Sequence, residues 1–220
     1  MKNAVYSLIY LLFFANVNAV NISSAKDLIP ITITMNDGQI KKGSVNNKFD
    51  PEKKITLILD DGNEETLASG DVKAFTITNP DGALITYENV PYYKNNRKDI
   101  AAKPMFMMVI MPAPSPLIMY YRLPWKVAYG AGAAASMYNT TDFYAKRDGE
   151  PAATLLSSVM QGQVNPNSVF IHAAPQYFSD YPALAKKIEN KTYTYAEIMN
   201  VAIEYVKWKV GEENFKEVKK

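Results

Sequence analysis

Two Asp-Gly turns set inside period-2 apolar alternation constrain this chain more than any other feature. In "ITITMNDGQIKKGSV", Ile31, Ile33 and Met35 fall on one side of an extended segment that ends at Asn36-Asp37-Gly38. In "KITLILDDGNEE", Ile55, Leu57 and Leu59 do the same before Asp60-Asp61-Gly62. Strand side chains alternate between two faces, so each segment has one apolar face. Asn, Asp and Gly tolerate the positive φ of a tight hairpin, which makes these residues turns and the flanking ones antiparallel neighbours. Short strands in succession must curl to bury one face, and a small barrel of about five strands is the economical solution.

With Gly43 at a bend in "DGQIKKGSV", then "ITLILDDG", then "VKAFTI" as a closing strand, this part resembles the small Sm-like and SH3-like barrels. The resemblance is confined to the first part of the chain. Sm-like proteins commonly bind RNA inside cells, and none of their binding residues is carried over, because the N-terminus reads as an export signal. In "MKNAVYSLIYLLFFANVNAV", Lys2 supplies the positive region, Ala4 to Phe14 the apolar region and Val17-Asn18-Ala19 a small-x-small cleavage site. Residues 1–19 are therefore expected to be a cleaved signal peptide. Asn16 and Asn18 break the run short of the roughly 20 apolar residues a spanning helix needs.

The cysteine count is zero, so an exported chain of this kind relies on packing and carries no disulfide framework. That composition fits a periplasmic or extracellular bacterial setting. The formal net charge is only +2, and Lys and Arg form no cluster beyond short pairs such as Lys41-Lys42, which makes nucleic acid and anionic lipid poor partners. The acidic run Asp60 to Glu65 lacks the ligand spacing of a calcium loop and reads as a solvated hairpin tip. No metal and no cofactor is expected.

The apolar run "MFMMVIMPAPSPLIMYY", Met105 to Tyr121, could enter a membrane only as a helix or a strand. Pro112, Pro114 and Pro116 interrupt it, and a proline inside a helix costs about 3 kcal/mol. The run reads instead as a strand, a proline-rich connection and a second strand, buried on both faces. If the protein binds a partner, Pro114, Tyr120, Tyr121 and Trp125 are the expected contact residues, because a preset proline backbone loses little entropy and aromatics contribute area. Gly130 to Ala135 in "KVAYGAGAAAS" fits a relaxed dinucleotide pattern, but "MYNTTDFYAKRDGE" after it is a strand ending in the turn Asp148-Gly149, not a helix. A small-residue loop is the expectation there.

Near the end, "VFIHAAPQYF" reads as a buried or edge segment leading into a helix that starts at Ser179 or Asp180, with Pro182 in its first turn. Thr194 and Glu197 make a capping box for a second helix, along which Ile198, Val201, Ala202 and Tyr205 repeat at helical spacing. The order of signal, barrel, strand pair ending in "LIMYY", strand "DFYAKRDGE", "YFSDYPALAKKI" and a final tyrosine-containing helix resembles a family of exported bacterial proteins of uncharacterised activity. That resemblance implies the architecture and no reaction.

The expected fold class is α+β: a small antiparallel β barrel over residues 20–86, then further antiparallel strands and two C-terminal α-helices over 87–220. Ile33, Leu57, Leu59, Phe75, Phe106, Met108, Ile198 and Tyr205 are the expected core. The expected function is a non-catalytic binding or interaction protein of the bacterial envelope, whose partner is a protein, peptide or glycan. The alternative is a secreted hydrolase using His172, the only histidine, or a carboxylate pair drawn from Asp142, Asp148 and Glu150.

Overall fold

The computed structural model describes residues 28–46, 49–79, 81–94, 98–122, 140–160 and 164–218, with side chains to residue 211. Residues 1–19, Trp125 and the Gly130 to Ala135 loop lie outside the described residues. Ten strands form one sheet: β1 (Leu28–Met35), β2 (Ile40–Asn46), β3 (Ile55–Ile58), β4 (Glu64–Leu67), β5 (Val72–Thr78), β6 (Leu84–Val90), β7 (Met105–Met111), β8 (Leu117–Arg122), β9 (Thr140–Arg147) and β10 (Thr154–Met160). Their order is β10-β9-β8-β7-β6-β5-β1-β2-β3-β4, and every neighbouring pair is antiparallel. Three helices follow, α1 (Ser168–Tyr177), α2 (Pro182–Glu189) and α3 (Ile198–Val218).

The Asp-Gly turns form as expected. Gly38 and Gly62 have φ of 88° and 82°, a region where a Cβ is strained. Asp37, Asp61 and Asp81 each accept a hydrogen bond from the amide two residues on, at 2.9, 2.9 and 3.0 Å, so the aspartate holds its own turn. At the bend of β2, Gly43 has a different role: a Cβ there would run into the Ile58 carbonyl oxygen of β3. β2 and β3 pair only at Ser44 and Ile58.

The expected barrel is not closed. β5 pairs β1, as a closing strand would, but its other edge is taken by β6 through the turn at Asp81-Gly82. With both edges of β5 occupied, β4 cannot pair with it and remains an edge of an open sheet. The strands β1 to β5 still curl round a shared apolar interior of Ile31, Ile33, Val45, Ile55, Leu57, Leu67, Val72 and Phe75. Phe75 is its centre, with Tyr87 stacked at 4.9 Å, Phe106 at 5.1 Å and Phe49 edge-on at 5.3 Å. Leu59 and Met108 are half-buried, while the other six expected core residues are buried. Residue 86, the expected boundary between the two segments, lies within β6.

The helices cover one face of β8, β9 and β10. Leu117, Met119, Ala145 and Leu156 from the sheet meet Phe170, Ala174, Leu184, Ile188, Val201 and Tyr205 from the helices. Among the described residues three helices are present where two were expected, because "VFIHAAPQYF" is itself helical despite Pro175. Helix α2 begins at Pro182, whose missing amide hydrogen is no loss in a first turn. The last helix is preceded by the expected capping box of Thr194 and Glu197.

On the opposite face, β6 to β10 wrap round a second interior of Val90, Met105, Met107, Tyr120, Tyr144 and Ala153. The chain after β6 returns alongside the start of β10, where Tyr93 donates to the Ala153 carbonyl at 2.9 Å and Ala153 donates to Pro91 at 2.8 Å. This single parallel bridge leaves the sheet open but explains why an apolar strand pair such as β7 and β8 is buried on both faces. Among the described residues, no helix is long and apolar enough to cross a membrane.

Candidate functional site

Register determines which side chains of β6 to β10 share the inner face. Arg122 on β8 pairs with Asp142 on β9, and Asp142 with Ser158 on β10. Two positions further along the strands, on the same face, Tyr120 pairs with Tyr144. Strand alternation therefore sets a charged row beside an aromatic one at the end of the sheet where β8 ends and β9 begins. Glu88 on β6 joins the set from the side, accepting the Tyr120 hydroxyl at 2.9 Å.

Arg122 is the hub. One guanidinium nitrogen donates to Glu52 Oε1 at 3.1 Å, and another lies 3.8 Å from Asp142 Oδ2. Asp142 also accepts the Ser158 hydroxyl, at 2.6 Å. Arg122 Nε is buried and has no acceptor among the described residues. Asp142 is only 8% exposed, and burial raises its pKa above the ordinary aspartate value, with the Ser158 hydrogen bond and the Arg122 charge opposing the rise. Burial also raises the Tyr120 and Tyr144 hydroxyls, so both stay protonated at neutral pH. Two carboxylates thus meet one cation through different nitrogens, an arrangement that holds charge in place.

Glu52 belongs to the loop between β2 and β3, 70 residues from Arg122. The same loop walls a shallow cleft of about 150 Å³ lined by Val45, Asn46, Phe49, Asp50, Lys53 and Thr56. Asp50 organises the loop by accepting the Glu52 amide at 3.1 Å, and Lys53 pairs with it at 3.5 Å.

A second polar cluster ties the helices to the other end of the sheet. Arg147 at the end of β9 donates to Asp180 at 2.8 Å and to the Tyr177 carbonyl oxygen. Its guanidinium lies over the rings of Tyr177 and Tyr205, 4.3 and 5.2 Å from their centroids. Tyr177 donates to Glu150 and Tyr205 to Asp180, both at 2.8 Å. All of these partners lie in the turn after β9 or in the helical layer, so the cluster fastens one to the other.

Comparison with family models, curated proteins and solved structures returns no match.

The expected contact residues are not brought together. Pro114 is exposed in the connection before β8, whereas Tyr121 is near the strand's far end, about 13 Å along it from Leu117 at ~3.3 Å per residue. Tyr120 is 2% exposed and faces the inner cluster, while Tyr121 faces the helical side, with its ring 5.3 Å from that of Phe143. Trp125 lies outside the described residues. Nor do the candidate catalytic groups converge. His172 is exposed on α1. Asp142 starts β9 and Asp148 and Glu150 follow its end, about 20 Å apart.

Sequence reasoning singled out Asp142 but missed Arg122, Glu52, Glu88 and Ser158. A signal existed for Arg122: it continues the Ile118 and Tyr120 face of an apolar strand, where a charge requires a partner. Glu52 had none, since its pairing depends on how the β2 to β3 loop folds back.

Proposed function

We propose that this chain is an exported, non-catalytic binding or interaction protein of the bacterial envelope, and that the proline connection between β7 and β8 belongs to its contact surface. The observation that carries the reading is the exposure of Pro112, Ala113 and Pro114 between two strands whose own side chains are largely buried. A segment poor in amide donors, held out from a packed base, can dock with little further ordering. The polar groups elsewhere support the same reading, because Glu52, Arg122, Asp142 and Ser158 bond to one another and do not converge on a shared open cleft. Export rests on the charge and hydropathy pattern of residues 1–19, and the partner class remains an envelope protein, peptide or glycan.

The test places a photo-crosslinking amino acid at position 114 and, as a control, at the exposed Lys53 on the opposite end of the sheet. The reading expects a discrete adduct from position 114 in intact cells and none from position 53. Equal labelling from both positions, or none from position 114, moves the contact surface elsewhere. Mass spectrometry of the same material tests export: the expected N-terminus is Val20, and an intact Met1 in the membrane fraction would contradict it.

A further inference from the structure

The chain contains four Asp-Gly pairs, Asp37-Gly38, Asp61-Gly62, Asp81-Gly82 and Asp148-Gly149. All four are exposed in turns between strands, and each glycine has a positive φ, between 78° and 88°. Their hydrogen bonding differs. In the first three the glycine amide donates to the carbonyl three residues earlier: Gly38 to Met35 at 3.0 Å, Gly62 to Leu59 at 2.9 Å and Gly82 to Asn79 at 2.8 Å. In the same three the aspartate carboxylate accepts the amide two residues on. Asp148-Gly149 has neither bond among the described residues. Its turn is closed outside the pair, by the Glu150 amide donating to the Arg147 carbonyl at 3.2 Å. The Asp148 carboxyl and the Gly149 amide are thus neighbours with nothing that holds them apart.

We propose that Asp148-Gly149 is a site of spontaneous backbone isomerisation in the folded protein, and that isoaspartate there releases the latch between β9 and the helical layer. The Gly149 nitrogen, with no side chain beside it to hinder approach, attacks Cγ of the Asp148 carboxylic acid. An N–C bond forms, a C–O bond breaks, and the amide proton leaves with the acid's hydroxyl as water. A second water then opens the cyclic imide. Opening at the side-chain carbonyl restores aspartate, and opening at the main-chain carbonyl leaves the peptide running through Cβ and Cγ, one methylene longer. At the other three pairs the glycine amide and the carboxylate must first leave their hydrogen-bond partners. The added methylene falls where the latch depends on spacing. Glu150 accepts the Arg147 amide and the Tyr177 hydroxyl, both at 2.8 Å, while Arg147 reaches Asp180 at 2.8 Å from the other side of the pair. A longer chain between Arg147 and Glu150 breaks the turn that sets both side chains.

The experiment holds the purified full chain, folded and near neutral pH, for weeks in heavy-oxygen water, then returns it to ordinary water and digests it with trypsin. Lys and Arg residues between the pairs place the four in four different peptides. Each imide opening adds one heavy oxygen, so the mass gain counts events whichever isomer forms, and fragmentation identifies isoaspartate. Label and isoaspartate are expected at residue 148 about tenfold faster than at 37, 61 or 81, the effect of two hydrogen bonds that need not be broken first. In guanidinium the four rates should converge. Equal rates in the folded chain overturn the proposal, and so does an excess at 148 that persists in guanidinium, since local sequence would then set it. The latch is read in the separated isomerised fraction by amide hydrogen exchange of Phe178 and Tyr181, which donate at 2.9 Å to Ala174 and Phe178 where α1 ends. Exchange there is expected to quicken severalfold while ladder amides of β1 and β5 stay level. Unchanged exchange overturns the release, as does the same quickening in an aged Asp148→Ser chain, which cannot form the imide.

Discussion

Ser157 sits at a bulge of β10 opposite Phe143, fully buried, and its hydroxyl has no partner among the described residues. A buried hydroxyl without a hydrogen bond forfeits its hydration, so Ser157→Ala is expected to raise stability by about 1 kcal/mol in urea unfolding. A loss of that size would mean that the hydroxyl is bonded in solution. Asp142 gives the opposite kind of test, one of slope. Its pKa in the folded chain is raised by burial above the ordinary aspartate value, so the folded state holds the proton over a pH range in which the unfolded state has released it. The stability this contributes is fully present below the unfolded value and is lost as pH rises through the folded one. Thermal midpoints of Asp142→Asn should therefore vary less with pH across that window than those of the wild type. Asp142 lies within a strand that the sequence identifies, whereas the strand that holds Ser157 was not read as one; the roles of both depend on cross-strand register, and a bulge such as the one at Ser157 leaves no mark in local composition.

At the scale of elements, the turns and the last helix were the most legible. An Asp that accepts its own downstream amide and a Gly at positive φ are local chemistry, and so is a Thr-x-x-Glu box. Helix α1 was not legible because Pro175 argues against a helix, and the burial of Phe170, Ala173, Ala174 and Tyr177 against the sheet outweighs that local preference. The barrel failed for a related reason. The strands were read correctly, but which strand takes the free edge of β5 is decided by the neighbour that the next turn delivers. Gly43 offers a test of this curl. Gly43→Ala forces a methyl group against the Ile58 carbonyl where β2 and β3 meet, and backbone has no cheap way to yield. The expected result is a loss of at least about 1 kcal/mol of stability, centred on β3 and β4 in hydrogen exchange; an unchanged midpoint would show that β3 can shift freely.

For the whole molecule, one continuous sheet carries two apolar interiors on one face and a third on the other. β5 and β6 belong to both halves, so the halves share hydrogen-bonded backbone and should melt together. Leu57→Ala in the first half and Ile198→Ala in the helical layer should each cost roughly 2–5 kcal/mol and each shift a single transition. Two separated transitions in either variant would show that the halves are independent. The candidate contact surface was the least legible feature of all, since Pro114 and Tyr121 are close in sequence and yet a strand's length apart. The strand order also sets a kinetic course. From β5 to β10 every strand lies beside the one made just before it, so these strands can pair in succession, each across a connection of 17 residues or fewer. The pairing of β1 with β5 is the exception, aligning Ile31 with Ile77 across the whole of β2, β3 and β4. Until β5 has formed, β1 to β4 present a strand edge that only β5 can cover. A chain delivered N-terminus first would expose that edge for the time it takes to make residues 36–71, and a holding chaperone would be most useful during that interval.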